Sequence, residues 1–427
     1  MTARSLAKWL EYQERIHPRS IDFTLDRIRT VLERLGIAHP NARVIIVGGT
    51  NGKGSITAFL DAMLRAAGTR VGLYTSPHLS RYQERIRING LEIESEALID
   101  AFERVEAARA EVTLTFFEYA TAAAMTAFAS VPLDVLVLEV GLGGRLDAVN
   151  AIDADVAVVA SIALDHCDYL GTSLEAIGRE KAGIFRNGRP AIYGSLEMPA
   201  SIASEAARVG AQLERLGHDF SFERVADGFD WQRGGAQLAA LPLPGLPGPI
   251  QIGNAATALA ALAAGGWLPQ PAECAAGLRA TRLAGRFEVH PGPVDWIFDV
   301  AHNPAAASAL AAAMRERAPA GRWLLVCGVL ADKDAAAIGR ALEGVLRIDD
   351  LLYTVTLEGE RGRSAADLGA ILGPILGRGA QHAASVPEGC ELAAREARAG
   401  DAVLVFGSFH TVGPARDWHR LYCAGPR

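Results

Sequence analysis

The residues best placed to do chemistry form the run Gly48-Gly49-Thr50-Asn51-Gly52-Lys53-Gly54-Ser55, directly after the apolar residues 44–47 and at the start of a helical pattern. Glycines let a backbone turn tightly and aim its N–H groups at an anion. A helix N-terminus adds partial positive charge and Lys53 a full one, which together suit a phosphate. The usual pattern G-x-x-x-x-G-K-[ST] is not met, since Val47 stands at the first glycine position and Gly54 follows the lysine. The alternative is a plain strand-to-helix turn with a solvated lysine. Glu139 lies near the end of the apolar stretch 135–140, just before Gly141-Leu142-Gly143-Gly144-Arg145. A carboxylate there faces the region where open α/β sheets bind ligands, and magnesium beside a nucleotide needs only a few hard oxygen ligands. As a structural residue, Glu139 would instead pair with an arginine. Asp165 and His166 follow a third apolar run. The histidine suits a metal, while the structural reading makes Asp165 a helix cap. Further on, Asp299 and His302 occupy another strand end, with Asn303 expected to cap a helix in either case; Gly407-Ser408-Phe409-His410 is a weaker candidate of the same kind. Neither a GxSxG elbow nor HExxH occurs.

For such residues to meet, strands must alternate with helices. The runs 44–47, 135–140 and 156–164 are rich in Val and Ile without alternation, as strands buried on both faces should be. Residues 55–67 and 96–109 have helical spacing, so a parallel, doubly wound sheet is expected. The segment 212–252 contains LPLPGLPGPIQIGN and predicts short strands and loops feeding a helix over 255–264. Alternation restarts after Gly285, with strands expected at 296–300, 323–329, 351–355 and 402–406, and Pro304 opening a helix. A boundary near residue 285 would divide the chain into 1–284 and 285–427.

The chain's 427 residues allow two or three domains, and half of them are hydrophobic, which is ordinary globular composition. Lys and Arg number 42 against 49 Asp and Glu, a net charge of −7 that argues against a nucleic-acid partner. The five cysteines, at 167, 274, 327, 390 and 423, show neither pairing nor metal spacing, which suits a reducing compartment. The first residues lack an uninterrupted apolar core of a leader, and 255–269 falls short of the roughly 20 residues of a membrane helix. A cytoplasmic protein with no membrane partner is expected.

The segments GTNGKGS, Tyr74-Thr75-Ser76-Pro77-His78-Leu79, EVGLGGRLDAVN, SIALDHCDYLG, GREKAGIF, QIGNAATALAAL and DVAHNP occur in this order. Together they resemble the Mur-ligase superfamily and, within it, the folylpolyglutamate synthase/dihydrofolate synthase family, most of all its bacterial bifunctional members. The likeness runs from about residue 6 to 412. It implies a Rossmann-like P-loop ATP-binding domain of the Mur-ligase central type and a smaller α/β C-terminal domain, with the active site in the cleft. Thr50, Asn51, Gly52, Lys53, Gly54 and Ser55 would hold the phosphates of ATP, Lys53 contacting the transferring group. Ser76, Glu139 and His166 match magnesium ligands, and Lys181 matches a lysine that the family carries as a carbamate, bridging to one of two Mg2+ ions. Lys53, His166 and Lys181 would be the catalytic residues. Asn254, Arg286, Asp299 and His302 match residues that reach the nucleotide from its other side. Asp22, Phe23, Thr24 and Leu25, then Thr115, Phe116, Phe117 and Glu118, then Leu146, Asp147 and Ala148 match pterin-binding positions. Two departures stand out: Ser55 where Thr is frequent, and Thr24 where Gly is expected.

The resemblance implies an ATP-dependent ligase adding L-glutamate to dihydropteroate and to tetrahydrofolates through an acyl phosphate, acting as a monomer. Amide formation from a carboxylate does require activation, and charge on a transferring phosphoryl group requires cations. Two other readings compete. A peptidoglycan-precursor ligase would be expected to carry a further uridine-nucleotide domain ahead of the phosphate loop. A nucleotide-hydrolysing regulatory protein would release phosphate without needing a pteroate and L-glutamate.

Overall fold

Arg43–Gly48 forms strand β1, buried after its first residue, as the unbroken apolar run requires. The computed structural model describes residues 4–19 and 21–423, which divide into two compact units. The first comprises residues up to 78, 82–245 and 252–281; the second comprises 79–81, 246–251 and 282 onward.

In the first unit, β1 is joined by β2 (Val71–Tyr74), β3 (Ile86–Ile88), β4 (Leu91–Glu92), β5 (Val135–Glu139), β6 (Val156–Val159), β7 (Pro190–Tyr193) and β8 (Gln212–Arg215). Their spatial order is β4-β3-β2-β5-β1-β6-β7-β8. Neighbours from β2 through β8 run parallel, with Val47 opposite both Glu139 and Val158. The strands β3 and β4 do not, so the expected parallel sheet is mixed at one edge. The cause is local. Asn89 and Gly90 both take positive φ, +51° and +83°, the conformation of a two-residue turn that reverses the chain at once. The strand expected over 156–164 also ends early, at Val159, because the next residues bond to the loop after β1 instead.

Helices cover this sheet. Lys53–Ala66 begins two residues before the expected start, and Ser95–Arg109 and Phe116–Ala129 pack beside one another. In the 212–252 region, β9 (Phe220–Val225), β10 (Gly228–Arg233) and β11 (Ala236–Pro242) form a separate antiparallel sheet, matching the expectation of short strands. Its Trp231 is buried and donates Nε1–H to the carbonyl of Ala256 at 3.1 Å, tying the sheet to the apolar helix Ile250–Gly265. That helix starts five residues earlier than expected, immediately after Pro249, where the proline and glycine load ends.

The second unit holds β12 (Glu288–His290), β13 (Asp295–Asp299), β14 (Trp323–Cys327), β15 (Leu351–Val355), β16 (Ala380–Ala383) and β17 (Ala402–Phe406), ordered β12-β13-β17-β14-β15-β16. All pairings are parallel except β12 with β13. Trp323, Leu325, Leu404 and Phe406 fill the core on one face, and Phe298, Val326 and Val405 on the other. Asn303 does cap the helix Pro304–Glu316, its Oδ1 accepting the Ala306 N–H at 2.9 Å. Ser408 likewise caps Phe409–Tyr422 by accepting the Thr411 N–H, which gives Gly407-Ser408-Phe409-His410 a structural role. Among the described residues no helix is long and apolar enough to cross a membrane.

Candidate active site

The loop between β1 and the helix Lys53–Ala66 is braced along its length. The Thr50 N–H donates to the Ser161 carbonyl at 2.7 Å, and Ser161 Oγ accepts from the Asn51 N–H and donates to its carbonyl, at 3.2 and 3.0 Å. Thr50 Oγ1 accepts from the Ala163 N–H and donates to its carbonyl, at 3.1 and 3.2 Å. Gly49 has φ +133°, and a Cβ there would meet the Ala160 N and Cβ at 2.9 Å. No side chain fits, in space or in backbone angle. Gly52 packs as tightly against Asn254, whose Oδ1 lies 2.8 Å from where a Cβ would sit, so the helix Ile250–Gly265 delivers Asn254 to the loop. Gly54 and Ser55 are buried in the first turn of the following helix.

Two lysines converge on one atom of this loop. Lys53 Nζ donates to the carbonyls of Gly49 at 3.1 Å and Thr50 at 3.3 Å, and Lys181 Nζ donates to the same Gly49 carbonyl at 3.0 Å. Lys181 is only 5 % exposed, so it is no surface lysine. Burial, then the charge of Lys53, push its ammonium down to about 7 against the pull of Asp165 and Asp147.

Glu139 ends β5 beside Val47 and is buried; its Oε2 accepts the N–H of Ser76, which stands in the loop after β2. Ser76 and Glu139 are thus brought together as the sequence led us to expect. His166 starts the short helix Cys167–Leu170 with φ +51°, a left-handed conformation uncommon for a residue with a side chain. Its N–H is held by Asp165 Oδ1 at 2.9 Å, which leaves the first-turn N–H groups of the helix without a side-chain cap among the described residues. Among the described residues no three His, Cys, Asp or Glu side chains cluster as a ready metal cage. The donor chemistry nevertheless fits magnesium: a buried carboxylate beside a hydroxyl-bearing residue offers hard oxygens to an ion that keeps much of its water. Lys181 as an ammonium does not fit a cation; only an anionic derivative would.

The pterin-matching positions gather in the same unit. Thr115 and Glu118 form a reciprocal cap on the helix Phe116–Ala129, so residues 115–118 have one defined shape. Phe117 lies 6.0 Å from the Tyr74 ring and covers Gly141, where a Cβ would meet it at 2.6 Å. Asp147 then holds the 141–142 turn, accepting the N–H groups of Gly141, Leu142 and Val149 at 3.1, 2.9 and 3.0 Å. Burial raises its carboxyl to about 6 despite these bonds and the charge of Lys53. Leu146 packs on the core and Ala148 is buried. Asp22 reaches Glu118 through Arg27, and Phe23 meets Tyr169 edge to face at 6.0 Å. Thr24 Oγ1 accepts the Asp26 N–H at the start of the helix Asp26–Arg34, a capping bond that a glycine could not make, and Leu25 is buried.

In the second unit, Asp299 ends β13 and accepts the N–H groups of Phe287 and Ala301, both at 2.8 Å. Burial raises its carboxyl against the pull of Arg286 and His302, which stand near it. The Arg286 guanidinium sits 5.5 Å from the Phe409 ring centre, and His302 Nδ1 bonds the Val300 carbonyl.

The Mur ligase middle-domain family model matches residues 47–262, and the Mur ligase glutamate ligase domain matches 285–409. The dihydrofolate synthase/folylpolyglutamate synthase of Escherichia coli is 47% identical over 412 residues, covering 96% of this chain and 94% of that protein. This chain belongs to the dihydrofolate synthase/folylpolyglutamate synthase family of Mur ligases. Solved structures of the family agree. The E. coli FolC complex with DHPP and ADP superposes with a TM-score of 0.92 at 43% identity, covering 99% of both chains. The bifunctional folylpolyglutamate synthase/dihydrofolate synthase with Mn, AMPPNP and L-glutamate bound has a TM-score of 0.90 at 43% identity, covering 97% and 98%. In this member of the family, two residues around the site escaped sequence reasoning: Arg27 and His17. Neither belongs to a glycine-rich or strand-end motif, and only their contacts reveal them.

Proposed function

We propose that this protein is an ATP-dependent ligase that joins L-glutamate to dihydropteroate and, in a second activity, to tetrahydrofolates and their polyglutamates. The braced loop carrying two lysine amines on one carbonyl, that of Lys181 buried and that of Lys53 partly so, in a chain of this family, carries the reading. A carboxylate is a poor electrophile. Transfer of the γ-phosphoryl group of ATP to a carboxylate oxygen gives an acyl phosphate and ADP. Attack of the glutamate amine on the acyl carbon then forms the amide, expels phosphate and releases a proton.

Residues Thr50 to Ser55 would hold the phosphates through backbone N–H groups, and Lys53 would neutralise charge on the transferring group. Ser76, Glu139, His166 and a carbamylated Lys181 would hold two magnesium ions, which supply further charge neutralisation when bound. Asn254, Arg286, Asp299 and His302 would contact the nucleotide, and residues 22–25, 115–118 and 146–148 the pterin. In this reading residues 1–284 form the ATP- and pterin-binding domain and 285–427 the C-terminal domain. The enzyme would act as a cytoplasmic monomer without nucleic-acid or membrane partners, consistent with its net charge of −7.

Two experiments test this. ATP-dependent product is expected from dihydropteroate plus L-glutamate, and also from a tetrahydrofolate plus L-glutamate, with phosphate release requiring both substrates. Product from the second acceptor alone would remove the dihydrofolate synthase activity and fault the pterin assignment; phosphate release without acceptor would remove the ligase reading. Glu139→Gln and His166→Ala are each expected to raise the magnesium concentration for half-maximal activity by about tenfold or more, since each removes one of very few protein ligands. Titrating magnesium against rate in both variants checks it, and unchanged dependence in both would leave these residues purely structural.

A further inference from the structure

Arg27 stands in the first turn of the helix Asp26–Arg34, and its guanidinium joins two segments distant in sequence. Nη1 donates to Asp22 Oδ2 at 3.0 Å, and Nη2 to the Asp22 backbone carbonyl at 3.1 Å. On its other edge Nε donates to Glu118 Oε2 at 3.2 Å, and Nη2 forms an ion pair with Glu118 Oε1 at 3.2 Å. Glu118 is buried, and the same Oε2 accepts the Thr115 N–H at 2.8 Å, so the fork grips the carboxylate that caps the helix Phe116–Ala129. His17 supports the arrangement from a third direction, with Nε2 3.3 Å from Asp22 Oδ2 and Nδ1 2.9 Å from Thr113 Oγ1.

We propose that Arg27 is a positioning residue of the acceptor site: it locks residues 22–25 against residues 115–118 and so sets the pocket for the pterin ring. The proposal rests on the ligase reading above. Its physical basis is the planar fork, which binds two carboxylates and one carbonyl in fixed directions, as a flexible point charge cannot. Burial opposes ionisation of Asp22, but the His17 hydrogen bond and the Arg27 charge outweigh it and hold the carboxyl below its ordinary value. Those bonds fall on Oδ2. Arg19 stands 4.0 Å from Oδ1, beyond hydrogen-bond distance, and among the described residues no hydrogen bond falls on Oδ1, so it can accept from a ligand. A pterin carries adjacent N–H donors on its amino-amidine edge, which suit an ionised acceptor of that kind. Without Arg27, Asp22 and Glu118 would face each other as like charges and the two segments would part.

The test is a comparison of Michaelis constants in the full chain. Arg27→Lys keeps the charge and loses the fork; Arg27→Met loses both. In Arg27→Lys we expect the KM for dihydropteroate to rise about tenfold, with the KM for ATP and for L-glutamate within about threefold of wild type, and Arg27→Met to be worse. Equilibrium binding of dihydropteroate, followed by tryptophan fluorescence, should weaken in parallel. A folded Arg27→Lys variant with wild-type acceptor KM, or one whose ATP KM rises in step, overturns the proposal; should Arg27→Met fail to fold, Arg27→Lys alone decides. Wild-type protein that does not glutamylate dihydropteroate would sink the ligase reading and this proposal with it. Active wild type with an indifferent Arg27→Lys sinks the proposal only.

Discussion

Replacing Lys53 by alanine will abolish ligation and leave the protein folded. The amine of Lys53 donates to the carbonyls of Gly49 and Thr50, and the loop keeps its bonds to Ser161 and Ala163 when the amine is gone. What disappears is a positive charge beside the phosphate loop. Removing one preorganised donor from a developing charge costs roughly 3–4 kcal/mol, which is about a hundred- to a thousand-fold in rate. Steady-state turnover with saturating ATP, alongside thermal unfolding, measures both halves of the claim. More than about a tenth of wild-type turnover with unchanged stability would remove Lys53 from phosphoryl transfer.

The Lys181→Ala variant is expected to be nearly inactive and partly rescued by a small carboxylate such as formate. The wild-type protein should carry the mass of one added carbon dioxide at Lys181. The ammonium first loses one proton, and addition of the uncharged amine then forms a bond between Nζ and the carbon and releases a second, so a cation becomes an anionic oxygen donor. Only the uncharged amine reacts. Its burial and the neighbouring Lys53 push the ammonium down to about 7, so a large share is uncharged at neutral pH. The anion that results suits magnesium, which the ammonium would repel. Mass spectrometry under native conditions and a rescue titration check the two parts. An unmodified lysine together with an active alanine variant would show that the derivative plays no part here.

Much of this fold and site was legible beforehand, for definable reasons. Strands buried on both faces announce themselves as unbroken apolar runs, so β15 and β17 fall where expected to the residue. The phosphate loop was legible because only glycine tolerates φ +133° against Ala160. The antiparallel edge was also signalled, by Asn89-Gly90 between Ile88 and Leu91, a two-residue hairpin signature. The early end of β6 was not legible: residues 160–163 are as apolar as a strand, but the loop after β1 takes their hydrogen bonds. Arg27 and His17 were hidden for a different cause. An arginine on an amphipathic helix looks like any solvated charge until the carboxylates that surround it, 91 residues away in the case of Glu118, come into contact.

The central place of β1 has a consequence for how the protein is made. Its two neighbours are β5 and β6, so Arg43 waits for Val135 and Ile45 waits for Val156. A nascent chain that has emerged as far as residue 155 contains the entire GTNGKGS segment, yet Ser161 and Ala163, which hold Thr50 and Asn51 in shape, have still to be synthesised. Non-local pairing of this kind makes folding slow. Nucleotide held by this loop would therefore be a ligand of the sheet with β6 in place. By mass action it would add stability only once β6 has docked, and would give no foothold to a chain that has emerged no further than residue 155.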